Sequence, residues 1–108
     1  MRRSELTFAS PLALRAGHHL GTLVRQGRLA RAWTLAELAE RARVSLATLK
    51  RIESGSLSAS LGAWLAVLER VGLLTALTEL RDPTSAALLD ATRIQRVRRK
   101  APDSDLDF

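Results

Sequence analysis

The sequence predicts an all-α fold: five short helices, preceded by an arm and followed by a basic tail. Three observations carry that expectation. The chain is 46% hydrophobic over 108 residues, yet it has only two Phe, two Trp and no Tyr, so its core must be built from Leu, Ala and Val, a mix that favours helix over strand. Apolar residues recur at three- and four-residue steps. A Ser or Thr stands ahead of the successive apolar runs, at Ser10, Thr34, Ser45 and Ser60, where its oxygen can cap the first free amides of a helix. The length fits one domain with a modest core.

Residues 1–10 read as an N-terminal arm carrying Arg2 and Arg3. Ser10-Pro11 is a helix start, with Ser as cap and Pro at the first helical position. The first helix then runs from Pro11 to about Arg31, weakened at Gly17. Leu20, Leu23 and Val24 form its inward stripe. Arg25, Arg28 and Arg31 line one side.

The stretch from Trp33 to Gly55 carries two helices joined by a tight turn. Thr34 with Glu37 three residues on makes a capping box. Leu35, Leu38, Ala39 and Ala42 form one apolar face. Arg43 and Val44 make the turn. Ser45 caps the next helix, Leu46, Leu49 and Ile52 follow at three-residue steps, and Gly55 suits the left-handed position that closes it. Two capped helices with so short a turn form a helix-turn-helix unit, whose second helix can enter the major groove of DNA. Any two small helices in a bundle share part of this pattern; the agreement of caps, spacing and charge favours the first reading.

A polar loop, Ser56 to Ser58, leads to an amphipathic helix over 60–71 with Leu61, Trp64, Leu65 and Leu68 on its apolar face. Trp64 is read as core rather than as a stacking platform. Val71-Gly72 ends that helix. Leu73, Leu74, Leu77 and Leu80 begin a fifth, which stops before Asp82-Pro83. Residues 11–80 thus make one helix-turn-helix domain. Residues 81–108 are read as a connector, a basic segment and an acidic tip. The connector, 81–92, has a weakly helical patch from Ser85 to Leu89, and Leu88 and Leu89 are free to pack on the head or on a partner. The basic segment has Arg93, Arg96, Arg98, Arg99 and Lys100 within eight residues. It reads as a solvated run, a phosphate-binding tail, or a short strand or helix pairing across a dimer. The tip, with Asp103, Asp105, Asp107 and the terminal Phe108, reads as a frayed end or a docking peptide.

Composition narrows the function. A formal charge of +6 on a small helical chain points to a polyanionic partner, most simply nucleic acid. The absence of cysteine removes disulfides, thiolate metal sites and thiol catalysis, and it fits a cytoplasmic protein. Met1-Arg2-Arg3 opens like a signal peptide, but the apolar run behind it is short and broken by Pro11 and Arg15. No window approaches 18 uninterrupted apolar residues, so no membrane partner is expected. His18 and His19 are adjacent and diverge on a helix, which is wrong for a shared metal. No nucleophile–base set, phosphate loop or paired acid/base carboxylates is visible. The expectation is a non-enzyme with no cofactor.

Trp33-Thr34-Leu-Ala-Glu37-Leu38-Ala39, followed by Val44-Ser45-Leu-Ala-Thr48-Leu49-Lys-Arg51-Ile52-Glu53-Ser-Gly55, resembles the Xre family of helix-turn-helix regulators, with the lambdoid phage repressors. The likeness covers about residues 18–80 and implies a five-helix, lambda-repressor-like domain. More loosely, the Ser-Pro opening, the Gly-Leu-Leu at 72–74 and the tail from Arg93 to Lys100 are similar to HipB-type antitoxins, which pair with HipA-type kinase toxins and repress their own operon.

The resemblance implies roles for individual residues. Ser45, Leu46, Ala47 and Thr48 would lie nearest the bases. Arg51 would reach a base edge, with guanine O6 and N7 its best target. Lys50 and Arg43 would join the DNA contacts, Lys50 at phosphate. Thr34 and the first amides of its helix would hold a phosphate. Arg28 and Glu53 would form a structural ion pair between the first and third helices. Arg93, Arg96, Arg98, Arg99, Lys100 and Phe108 are the candidate tail contacts, to phosphate or to a partner. The pattern is broken at Leu35, where the family often has Gln, and at Leu46-Ala47, where polar readers are common. Both Leu46 and Ala47 can touch a thymine methyl but cannot read a purine edge, so modest selectivity per half-site is expected. The implied function is a dimeric repressor of an inverted-repeat operator, serving as the antitoxin of a HipA-like kinase toxin. The alternatives are a stand-alone Xre-type repressor, or a protein-interaction adaptor that has lost DNA binding, which Leu35, Leu46 and Ala47 would suit.

Overall fold

A computed structural model of the protein describes residues 9–100, without the side chain of Lys100. The arm arginines Arg2 and Arg3 and the acidic tip with Phe108 lie outside the described residues. The fold is all-α. Five helices form one unit: α1 (Pro11–Ala30), α2 (Leu35–Ala42), α3 (Leu46–Glu53), α4 (Leu61–Arg70) and α5 (Leu74–Thr78). A second unit begins at Glu79 and holds α6 (Pro83–Lys100).

The starts follow from the caps. Ser10 Oγ accepts from the Ala13 amide at 3.0 Å, with Pro11 opening the helix. Thr34 and Glu37 bond reciprocally, at 3.0 Å to the Thr34 hydroxyl and 2.7 Å to the Glu37 carboxylate. Ser45 accepts from Thr48 and Ser60 from Ala63, at 3.0 and 3.1 Å. The ends follow one pattern too. After each of α1 to α4 a residue turns left-handed: Ala32 (φ 58°), Arg43 (φ 59°), Gly55 (φ 82°) and Gly72 (φ 80°). The next amide then reaches back five residues: Trp33 to the Arg28 carbonyl, Val44 to Ala39, Ser56 to Arg51, and Leu73 to Leu68, all within 3.1 Å. Glycine makes two of these ends at no steric cost. Ala32 and Arg43 make the other two under strain of about 1 kcal/mol each.

The core is Val24, Leu38, Leu49, Ile52, Trp64, Val67, Leu68 and Val71, with Ala39 and Ala42 between helices. Each large side chain so buried contributes about 1.5–3 kcal/mol. α1 lies against α3, and α2 packs on both α3 and α4. Gly17 does not weaken α1, which runs unbroken. A Cβ at Gly17 would stand 2.7 Å from the Gly55 carbonyl oxygen, and one at Gly21 2.5 Å from that of Ile52. The two glycines let the α1 backbone rest on the C-terminal turn of α3.

Four expectations need correction. On α1 the buried positions are Gly17, Gly21, Val24 and Arg28, while Leu23 is half-buried and outside the core. On α4, Leu61 is 72% exposed and Val67 is sealed in. That helix is apolar around too much of its circumference for spacing to fix its rotation, and the packing of α2 decides it. α5 ends at Thr78, leaving Leu80 74% exposed. Finally, the stretch 81–92 is no connector with a weakly helical patch: from Pro83 on it is the first part of α6, which continues through the basic segment. The Asp82 carboxylate accepts from the Ser85 amide at 3.0 Å and from its hydroxyl at 2.6 Å, and Pro83 takes the first helical position. Asp82-Pro83 is thus the same kind of start as Ser10-Pro11. The hydroxyl bond, then the amide bonds, hold the Asp82 carboxyl below its ordinary pKa.

Candidate nucleic-acid interface

The site begins with α3, because its two faces have different fates. Leu49 and Ile52 are fully buried and anchor it to the core. The positions between them turn outward: Ala47, Lys50 and Arg51 are exposed, Thr48 is half-buried, and Leu46 is 42% exposed at the N-terminal end. Ser45 and the first turn of α3 stand at an open helix terminus. With the Ser45 oxygen taken by the Thr48 amide, the amides of Leu46 and Ala47 remain the donors of that terminus.

A chain of hydrogen bonds runs along this outer face. The Ser45 hydroxyl donates to Thr48 Oγ1 at 2.8 Å, and Arg51 Nη2 donates to the same oxygen at 3.2 Å. Thr48 therefore tethers the guanidinium one turn away. The other Arg51 donors stay free to form a fork.

The inner side holds α3 in place. Arg28 Nε donates to Glu53 Oε2 at 2.6 Å and Arg28 Nη2 to Glu53 Oε1 at 3.1 Å, a bidentate pair between α1 and α3. Arg28 Nη1 donates to the Trp33 carbonyl at 3.0 Å, tying in the turn before α2. Both side chains are nine-tenths buried. The bond to Glu53 raises the Arg28 pKa against the opposing effect of burial, so the guanidinium stays charged. Every buried side-chain nitrogen or oxygen among the described residues has a partner.

At the start of α2 the capping box changes the expected phosphate site. The Thr34 and Glu37 amides are both consumed within the box. The Leu35 and Ala36 amides and the Thr34 hydroxyl proton are left to meet an anion. Arg43, exposed in the turn, adds a cation at the cost of its left-handed backbone. Spacing gave no hint of a further cluster. The Trp33 ring, half-buried beside Thr34, has the Arg41 guanidinium 4.6 Å from its centroid and that of Arg31 at 5.7 Å. The only sequence signal was an aromatic residue set among arginines.

Arg93, Arg96, Arg98 and Arg99 lie on α6 in the second unit, all exposed. No described helix is long and apolar enough to cross a membrane, and no cluster of three His, Asp or Glu capable of holding a metal forms among the described residues.

A short helix bolted to a bundle from within, with its polar side and N-terminus open and cations around it, is the arrangement of helix-turn-helix DNA-binding regulators. A family model described as a helix-turn-helix domain matches residues 19–82, and the chain belongs to that family. No curated protein and no solved structure matches it. The membership accords with the Xre-type resemblance of the segment from Trp33 to Gly55.

Proposed function

We propose that the protein is a transcriptional repressor that binds an inverted-repeat operator as a homodimer, each copy placing α3 in a major groove. The observation that supports this most is the outer face of α3. Its anchors are buried, while Arg51 is exposed and tethered by Thr48 with free donors to spare. Arg51 is the base reader, best matched to guanine, and Thr48 is the residue that aims it. Leu46 and Ala47 offer methyl contact to thymine. Lys50, Arg43, Thr34 and the Leu35 and Ala36 amides meet phosphates, and the strain at Arg43 is tolerated for its charge. Arg31 and Arg41, braced on Trp33, add to the backbone contacts. Arg93, Arg96, Arg98 and Arg99 on α6 are candidate contacts in their own right, to phosphate or to a partner.

Within that reading the particular role is that of a HipB-like antitoxin, whose partner is a HipA-like kinase toxin. The support is the likeness of the Ser-Pro opening, the Gly-Leu-Leu at 72–74 and the basic segment. Co-purification with a kinase-like neighbour would establish it. A gene with no such neighbour leaves the stand-alone repressor.

The test is a titration of duplex from the protein's own promoter. Arg51→Ala should weaken binding by about 1–3 kcal/mol per half-site, while thermal stability moves by less than about 0.5 kcal/mol. Lys50→Ala, which removes one phosphate contact from each copy of the dimer, should weaken all duplexes alike and lower the salt slope by about 1.8. A chain that shifts no duplex even at low salt would instead be the protein-interaction adaptor, for which the exposed Leu46 would be the natural contact.

A further inference from the structure

α6 is 18 residues long, about 27 Å, and exposed along its whole described length. A lone helix of that length is marginal in water. At about 100° per residue, Ala87, Asp90, Ile94 and Val97 fall in one stripe. Asp90, Arg93, Ile94, Val97 and Arg98 line a single depression on that side, and Ile94 and Val97 are more than half exposed within it. Leu88 and Leu89 fall elsewhere and take no part.

We infer that this stripe is where α6 of one copy packs antiparallel on α6 of a second copy. Two properties of the stripe choose that occupant and that direction. The first is size. Ala87 and Asp90 make its N-terminal half and the β-branched Ile94 and Val97 its C-terminal half, so reversing the second helix sets bulk against smaller side chains: Ala87 meets the partner's Val97, and Asp90 meets the partner's Ile94. The second is charge. The acid, Asp90, lies in the N-terminal half, and its flanking cations, Arg93 and Arg98, lie in the C-terminal half. An antiparallel pair places Asp90 between the partner's Arg93 and the partner's Arg98, twice by symmetry. A parallel pair would instead set Asp90 against the partner's Asp90 and Ala87 against the partner's Ala87. Antiparallel pairing also leaves Arg96 and Arg99 on the far side, open. The inference rests on the two-fold assembly proposed above and names the element that makes it; it does not depend on DNA contact.

The absence of cysteine makes the test direct. Full-length chains carrying Ala87→Cys alone or Val97→Cys alone should not cross-link on mild oxidation. Mixed, they should give a covalent pair. Cross-linking of Ala87→Cys with itself would mean parallel helices and would overturn the proposal. By sedimentation, Asp90→Arg should weaken self-association by about tenfold, and adding Arg93→Asp and Arg98→Asp to it should restore association. An assembly indifferent to Asp90→Arg, or not rescued by the exchange, puts the contact elsewhere. A dimer that shifts operator duplex but gives no mixed Ala87→Cys and Val97→Cys cross-link sinks the pairing and spares the repressor reading. An antiparallel dimer that ignores DNA does the reverse.

Discussion

The two faces of α3 are built to opposite rules. On the inner face nothing is free to move. Leu49 and Ile52 are sealed in, Glu53 grips both arms of the Arg28 fork, and the Ile52 carbonyl leaves no room for a methyl group at Gly21. On the outer face almost nothing is committed. Ala47 and Lys50 reach solvent, and Arg51 is held by one bond to Thr48. A helix of eight residues is too short to hold itself, so its placement is supplied from behind, and its outer side chains keep their donors, as the proposed reading of DNA would require.

The comparison can be broken most severely at the ion pair. Glu53→Ala leaves the Arg28 guanidinium buried without its partner and should cost about 3–5 kcal/mol in a denaturant titration. The double replacement Arg28→Met with Glu53→Leu should cost less than either single truncation, because no charge is then stranded. Gly21→Ala comes next. Its methyl meets backbone rather than a flexible side chain, so α1 and α3 must separate, at about 1–3 kcal/mol, with a loss of operator affinity exceeding that of any exposed alanine substitution on α1. Smaller and of opposite sign is the relief of the strained turns. Ala32→Gly and Arg43→Gly should each raise stability by about 1 kcal/mol, and only Arg43→Gly should weaken binding to duplex. The smallest effect belongs to α6. Its Asp82 cap is stronger as the carboxylate, so the folded pKa lies below the unfolded one. The cap's contribution is complete above about pH 4 and is lost as the pH falls through that lowered value, read as helicity of α6 by circular dichroism.

Much of the head was legible in the chain because its signals are local. Ser10, Thr34, Ser45 and Ser60 cap as their positions imply, and Gly55 and Gly72 turn left-handed where a helix must stop. Ala32 and Arg43 do the same without any residue preference to announce it. Their conformation is imposed by the helices they join, so spacing alone could not reveal it. The start at Asp82-Pro83 was open to view, yet Pro following the fifth helix reads first as a stop, and it is also the opening of α6. Apolar α4 had several possible inward faces, and only the body of α2 selected Val67 over Leu61.

The sequence by itself determined the caps and the order of the five helices of the first unit, since each depends on residues within one or two turns of each other. The tertiary structure decided which arginine is buried. Arg25, Arg28 and Arg31 share one spacing, and only Arg28 meets a carboxylate across 25 residues of chain. It also gave the glycines of α1 their purpose, because a close approach of backbones exists only once two helices have been laid side by side. Burial, partner and rotation are properties of pairs of elements, and no single stretch of chain contains them.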